Sequence, residues 1–124
     1  MTIDRQYILN IAETIRQQLV GLTPMNIIST WGVTGLVATV IDKMPTLKIK
    51  VNGRLHKGHV IIALNEGVDY YEIYLSDEKG RRKIATDIDF TQLGDVIDTA
   101  IESGTDKAEY DKFCEENFRK IFFG

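Results

Sequence analysis

Apolar side chains between positions 4 and 20 recur at the spacing of one helical face. The pattern is i, i+3, i+4 and i+7, and its members are Tyr7, Ile8, Ile11, Ala12, Ile15 and Leu19. Gly21 is placed to end such a helix, because glycine enters the left-handed conformation freely, and Pro24 prevents continuation. The sequence therefore predicts an N-terminal helix.

Alternation of apolar and polar residues predicts a run of short strands after Pro45. In residues 47–51, apolar side chains alternate with Lys48 and Lys50, so one face packs inward and the other meets water. Further strands are predicted at residues 59–64, 70–76 and 82–88. The polar connections between them are so short that successive strands must pair antiparallel.

The segment from residue 25 to residue 44 has a less regular pattern. Residues 26–31 are rich in β-formers, which predicts a strand, a glycine turn and a second strand at residues 36–41. Residues 36–41 form a continuous apolar run, so a buried helix is the alternative there. Trp31 is interpreted as a core anchor, with a place on a binding surface as the alternative.

Two helices are predicted to follow the strands. Asp89 and Gln92 have the spacing of a capping box, and the segment ends at Ser103-Gly104. A last helix begins near Asp106. The predicted fold is therefore α+β: an N-terminal helix, an antiparallel sheet of four to six short strands in a meander, and two C-terminal helices packing on the sheet.

Length and composition predict a single α+β domain over residues 1–124. Hydrophobic residues make up 44% and charged residues 27% of the chain, as in globular proteins. No apolar run approaches the roughly 20 residues that span a bilayer, and the N-terminus lacks a secretion signal. We therefore expect no membrane partner and a cytoplasmic location. The single cysteine, Cys114, cannot form an internal disulfide and is interpreted as a core residue of the last helix.

The motifs of common enzyme classes are absent from the sequence. It has no phosphate loop ending in Lys-Ser or Lys-Thr, no Gly-x-Ser-x-Gly and no His-Glu-x-x-His. His56 and His59 lack the further ligands that a metal site needs, and Asp89 is occupied as a helix cap. We predict no enzyme activity, no cofactor and no metal; a hydrolase using Asp87 and the histidines is the least favoured alternative.

Basic residues interleaved with tyrosines suggest an alternative function. The formal net charge is −3, yet residues 43–59 contain five basic residues and no acid. Cations that follow phosphates and rings that stack on bases are typical of single-stranded nucleic-acid binding; the candidate residues are Lys48, Lys50, Arg54, Tyr70, Tyr74 and Arg82. Glu72 lies on the same strand face as both tyrosines, so an ordinary charged sheet surface is favoured over such a site.

The aromatic C-terminus suggests self-association. Residues 105–124 are predicted to form an added helix that carries Phe113, Phe118, Phe122 and Phe123. These side chains cannot share one narrow stripe, because Phe123 follows Phe122 by about 100° around a helix. The leading hypothesis is a non-enzymatic protein-interaction or accessory domain with a protein partner, which includes a homodimer through this helix.

Part of the chain resembles a group of small uncharacterised proteins of bacteriophage and prophage genomes. The resemblance rests on a Leu-x-Gly-like helix stop at residues 19–21, on residues 53–62, on residues 64–73, where Asp69 and Tyr70 lead a strand, and on residues 90–97, where a Gln-Leu pair opens a helix. It extends over residues 5–103. It implies a protein of mobile-element origin without known activity, and it supplies no catalytic residues.

Overall fold

The computed structural model describes the backbone of residues 4–105 and 107–122 and the side chains of residues 4–105 and 108–115. In chain order its elements are α1 (Arg5–Leu22), α2 (Met25–Ile28) with a 3-10 turn (Ser29–Trp31), β1 (Gly35–Ile41), β2 (Met44–Asn52), β3 (Lys57–Asn65), β4 (Tyr70–Asp77), β5 (Gly80–Ile88), α3 (Leu93–Asp98) with a π-helical turn (Thr99–Ser103), and α4 (Lys107–Phe122). The predicted α+β meander is confirmed. Its strands are ordered β1-β2-β3-β4-β5, and each is antiparallel to its neighbours.

The main hydrophobic core lies between the sheet and the helices, on the side that we call the helix face. The predicted stripe of α1 supplies Ala12, Ile15 and Leu19, all buried. α3 and the turn after it add buried isoleucines at positions 97 and 101. The alternating apolar residues of β2, β3 and β4 form the floor, as the sequence predicted, so burial against the helices fixes the register of the strands.

The strand predicted at residues 26–31 is wrong, because this segment is helical. Its hydroxyls bond back to the chain: Ser29 Oγ donates to the carbonyl of Asn26 at 2.8 Å, and Thr30 Oγ1 donates to that of Ile27 at 2.6 Å. Trp31 is fully buried, and its Nε1 donates to Asp98 Oδ1 at 2.9 Å. Tertiary burial of one tryptophan thus overrides the β-propensity of its neighbours, and the interpretation of Trp31 as a core anchor is confirmed.

The strand predicted at residues 36–41 is confirmed as β1, and the hairpin that it forms with β2 bends over the far side of the sheet. We call this side the open face. Pairing between β2 and β3 starts only at Thr46, just after Pro45, which lacks a backbone donor. The hairpin end is therefore free to curl, and Asp42 Oδ2 reaches the Arg81 guanidinium at 3.4 Å.

The curled hairpin covers a second, smaller hydrophobic cluster on the open face. Ile41 and Met44 pack there on Ile61, Ala63 and Tyr74. Four consecutive residues of β3, at positions 60–63, are consequently buried, and the two sides of the strand face different cores. Hydrophobic side chains thus cover the centre of the sheet on both of its faces.

Hydrogen bonds of Arg54 join the β2–β3 loop to the C-terminal helices. Its Nε donates to the carbonyl of Glu102 at 2.8 Å and its Nη2 to that of Ser103 at 3.1 Å, while its backbone N–H bonds Glu102 Oε2 at 2.7 Å. Two predicted C-terminal helices packing on the sheet are confirmed. Cys114 is exposed on α4, so its interpretation as a core residue is wrong. No helix in the described part of the chain is long and apolar enough to span a membrane.

Candidate binding groove on the open sheet face

Side chains of the open face are ordered in rows that run across the five strands. Register places one row at Gly35, Lys50, His59, Ser76 and Arg81. The next row contains Val37, Lys48, Ile61, Tyr74 and Lys83. Cations therefore stand near both ends of these rows, and apolar or small groups lie between them.

A groove of about 990 Å³ lies between the curled β1–β2 hairpin and the β4–β5 turn. We call it the open-face groove. Its lining residues are Ile41, Lys48, Lys57, Gly58, His59, Ile61, Ser76, Asp77, Glu78, Lys79, Gly80 and Arg81. The groove has an apolar floor at Ile41 and Ile61 and a charged rim, an arrangement suited to an extended ligand with both apolar and polar groups.

Positive charge in the open-face groove is only partly balanced. Arg81 pairs with Asp42, but no ion pair among residues 4–105 and 108–115 includes Lys48 or Lys57. Partial burial lowers the pKa of His59, and the positive charges of Lys48 and Lys50 lower it further. The neighbouring lysines therefore make the electrostatic potential at the His59 imidazole more positive, and an anionic ligand would neutralise it.

The carboxylate of Glu72 is buried on the open face, beside the groove. Glu72 is 8% exposed and accepts hydrogen bonds from Tyr74 Oη at 2.7 Å and Asn65 Nδ2 at 2.9 Å. Lys83 Nζ lies 3.0 Å from Oε1, the oxygen that also accepts from Tyr74. These donors, with the Tyr74 hydroxyl first, lower the pKa of Glu72 to about 2. The carboxylate is therefore ionised and offsets the charge of Lys83, so its negative charge remains on this face.

The predicted nucleic-acid-binding residues are divided between the two sides of the sheet. Lys48, Lys50 and Tyr74 share the open face in adjacent rows. Arg82 pairs with Leu75 and so lies at the edge of the helix face. Arg54 holds the C-terminal helices and packs over the rings of Tyr110 and Phe113, so it is not part of the open face either.

The two predicted stacking tyrosines differ in how much of each ring a ligand can reach. Tyr74 is 6% exposed, because the Arg81 guanidinium lies 5.2 Å and Lys83 Nζ 5.6 Å from its ring centre. Tyr70, at the far end of β4, is 44% exposed. Tyr74 therefore offers no free face to a base, and the open-face groove lacks the paired stacking platform of single-strand binders.

The predicted self-association residues lie partly outside the described region. Phe113 is at the surface of α4, where its ring stacks on Tyr110 with centroids 6.4 Å apart. Phe118 and Phe122 fall within the α4 backbone, but their side chains lie outside the described residues, as does all of Phe123. The homodimer through this helix stays a prediction.

The residues considered for hydrolysis are far apart. Asp87 adjoins Ile88, which is level with Tyr71 on β4, whereas His59 is level with Ser76. Five residues of strand separate these levels, about 16 Å. Among the described side chains, no three histidines, cysteines or carboxylates lie close enough together to hold a metal ion.

Comparison with protein-family models, with curated protein sequences and with solved structures found no match to this chain. The resemblance to bacteriophage and prophage proteins stays a prediction.

Proposed function

We propose that this chain is a non-enzymatic protein-interaction domain that receives an acidic segment of a partner protein in the open-face groove. The observation that supports it most directly is the pair Lys48 and Lys57, which line the groove without a carboxylate partner in the described part of the chain. Unbalanced lysines beside an apolar floor favour a ligand that brings carboxylates and apolar side chains together.

The surroundings of His59 are compatible with the same ligand chemistry. Burial is the main cause of its lowered pKa, and the positive charges of Lys48 and Lys50 lower it further. Bound carboxylates would reverse that effect, because an opposite charge within about 4–6 Å favours the protonated imidazole. Binding should therefore raise the pKa of His59 and should strengthen as the pH falls through that pKa.

Single-stranded nucleic acid is the alternative, and the same lysines support it. Its phosphates would be attracted by Lys48 and Lys50, and the ring of Tyr70 is free to stack. Tyr74 is not free, because two cations cover it. A protein partner is favoured, because an acidic peptide needs the cations and the apolar floor but no stacking platform.

The test uses two labelled probes, a glutamate-rich peptide with interspersed leucines and an oligothymidine of 20 nucleotides. Each is titrated against the full chain by fluorescence anisotropy at several salt concentrations, and the His59 ring is followed by NMR across pH. We expect the peptide to bind and to raise the pKa of His59. Lys48→Glu combined with Lys57→Glu should weaken peptide binding at least about tenfold, since two attractive contacts become repulsive.

Lys112→Glu is the matched control, because Lys112 is an exposed lysine on α4, away from the open-face groove. It should leave peptide affinity within about twofold of wild type. Tighter binding of the oligonucleotide, with a steep loss as salt increases, would replace the proposed function with the alternative. Failure of both probes to bind, or equal losses in the groove and control variants, would refute the groove as the working surface.

A further inference from the structure

The two edges of the sheet are built differently. β5 carries Arg81, Arg82 and Lys83, and its pairing with β4 is interrupted by two register shifts. Such charges and bulges prevent an edge from pairing with another strand. β1 consists of Gly-Leu-Val-Ala-Thr-Val-Ile, without a charge, a proline or an irregularity in its pairing with β2. The sheet is therefore protected at one edge and open at the other.

Apolar surface surrounds the open edge on both sides of the sheet. Leu36 is 49% exposed on the helix face, and Val37 is 57% exposed on the open face. A shallow groove of about 560 Å³ runs between β1 and the first turns of α1, where Ile8 and Leu9 line it together with the cation of Arg5. Within the described residues no strand pairs with the outer edge of β1, so its backbone groups lie next to side chains that water solvates poorly, as in edges that accept a further strand.

We propose that β1 pairs antiparallel with β1 of a second copy of this chain and so forms a continuous ten-stranded sheet. Directly opposed residues of a sheet point to the same side. A twofold axis that keeps both helix layers on one side therefore pairs residues of equal parity, with Ala38 opposite Ala38 as the central register. Val37 then faces Thr39 of the other copy and Leu36 faces Val40, so no charges oppose each other.

A second copy fits this edge better than a strand of another protein. The strand is uncharged along its whole length, so it offers no charge pattern to select a foreign sequence. A copy of β1 brings the same apolar pairs and the same groove beside α1, which meet across the axis. This proposal does not depend on the open-face groove, which shares only Ile41 with β1.

The expected dimer is weak. Seven paired residues extend about 23 Å, and the sheet with its helix layer is about 20 Å thick. The two copies would therefore bury on the order of 900 Å² in total, at the low end of specific interfaces. We expect dissociation in the micromolar range, so that dilution should separate the copies.

Sedimentation velocity of the full chain from about 1 to 500 µM tests the proposal. Val37→Lys should raise the dissociation constant at least about tenfold, because the two new lysines would lie about 7–8 Å apart diagonally across the axis. Val68→Lys is the matched control, since Val68 is 52% exposed in the β3–β4 turn, away from β1, and should not change dissociation. Circular dichroism of each variant confirms folding.

A charge swap gives a second measurement that loss of folding cannot imitate. Val37→Glu alone should also dissociate the dimer, whereas an equimolar mixture of the lysine and glutamate variants should restore it, because opposite charges then face diagonally. Wild type that stays monomeric at 500 µM would overturn the proposal. So would a dimer that Val37→Lys leaves unchanged, which would point to α4, or a mixture that associates no better than either variant.

Discussion

Replacing the buried carboxylate of the open face, Glu72→Gln, should destabilise the fold substantially. The glutamine keeps the volume of the side chain but loses the negative charge to which Tyr74, Asn65 and Lys83 all donate. Its amide also brings two donors of its own to a place already supplied with donors. At least one buried donor would then lack an acceptor, which costs about 1–3 kcal/mol.

The lowered pKa of Glu72 expresses the same contacts as a preference for the ionised carboxylate. Lowering it from 4.5 to about 2 corresponds to roughly 3 kcal/mol of preference for the ionised form. The side chain of Lys83 is 48% exposed, so water screens its share. We therefore expect a loss of about 2 kcal/mol in the free energy of unfolding at pH 7, or about 8 °C in the melting temperature.

The sign of the pH dependence follows from the direction of the pKa change. A carboxyl whose folded pKa is lowered stabilises the fold above its unfolded pKa and loses that contribution as the pH falls through the folded value. The difference between wild type and Glu72→Gln should therefore be full above about pH 5 and should shrink between pH 4.5 and about 2. Urea unfolding followed by tryptophan fluorescence measures it at each pH.

Two further variants make this experiment specific. Glu78→Gln removes the same charge from the exposed β4–β5 turn and should change stability by less than about 0.5 kcal/mol. Tyr74→Phe combined with Glu72→Gln should cost less than the sum of the single changes, because the hydroxyl and the carboxylate are partners. The reasoning is refuted if Glu72→Gln matches Glu78→Gln at pH 7, or if the difference from wild type is the same at every pH.

Two other substitutions test the contacts of the C-terminal helices. Trp31→Phe should lower the free energy of unfolding by about 2–3 kcal/mol, because packing and a hydrogen bond are both lost. Asp98→Asn keeps an acceptor for Trp31 Nε1 and should lower it by less. Thermal melting followed by circular dichroism compares the two variants. Gly53→Ala should cost about 1–3 kcal/mol, because a Cβ there would overlap the carbonyl of Ile101. The predicted left-handed helix stop at Gly21 is wrong, because α1 continues through Gly21 to Leu22; a Cβ there has open space, so Gly21→Ala should raise the melting temperature. Equal effects of the two alanines would contradict the close approach at Gly53.

Much of the fold was predictable because burial on one side of an element leaves a period in the sequence. α1 shows it at 3.6 residues, and β2 shows it at two. The segment at residues 25–31 leaves no such period, since its conformation is fixed by the burial of a single residue, Trp31, against distant parts of the chain. Its helical turns depend on contacts with α3, about 67 positions away in the chain, which local patterning does not record.

The candidate site was less predictable, because it depends on register. Alternation assigns Tyr70, Glu72 and Tyr74 to one face correctly, but which cations of β5 join them depends on the register that the β4–β5 turn imposes. Counting across the β4–β5 turn from Tyr74 places Arg81 and Lys83, rather than Arg82, beside its ring. The sequence predicts this placement of Arg81 and Lys83 only if the length of the β4–β5 turn is known. No local sequence feature indicates that the β1–β2 hairpin curls toward β5.

The order of α1 and its partners along the chain has a consequence for synthesis on the ribosome. The helix contacts β1, β2 and α3, so it is made before these elements, which cover its buried stripe. β2 is complete only at Asn52 and α3 only at Asp98. The strands in between pair strictly with their neighbours in the chain, so each new hairpin can add to the sheet as it emerges. The stripe of α1 therefore gains its sheet partners when β1 and β2 emerge, and the core around the helix is complete only after α3 has been made.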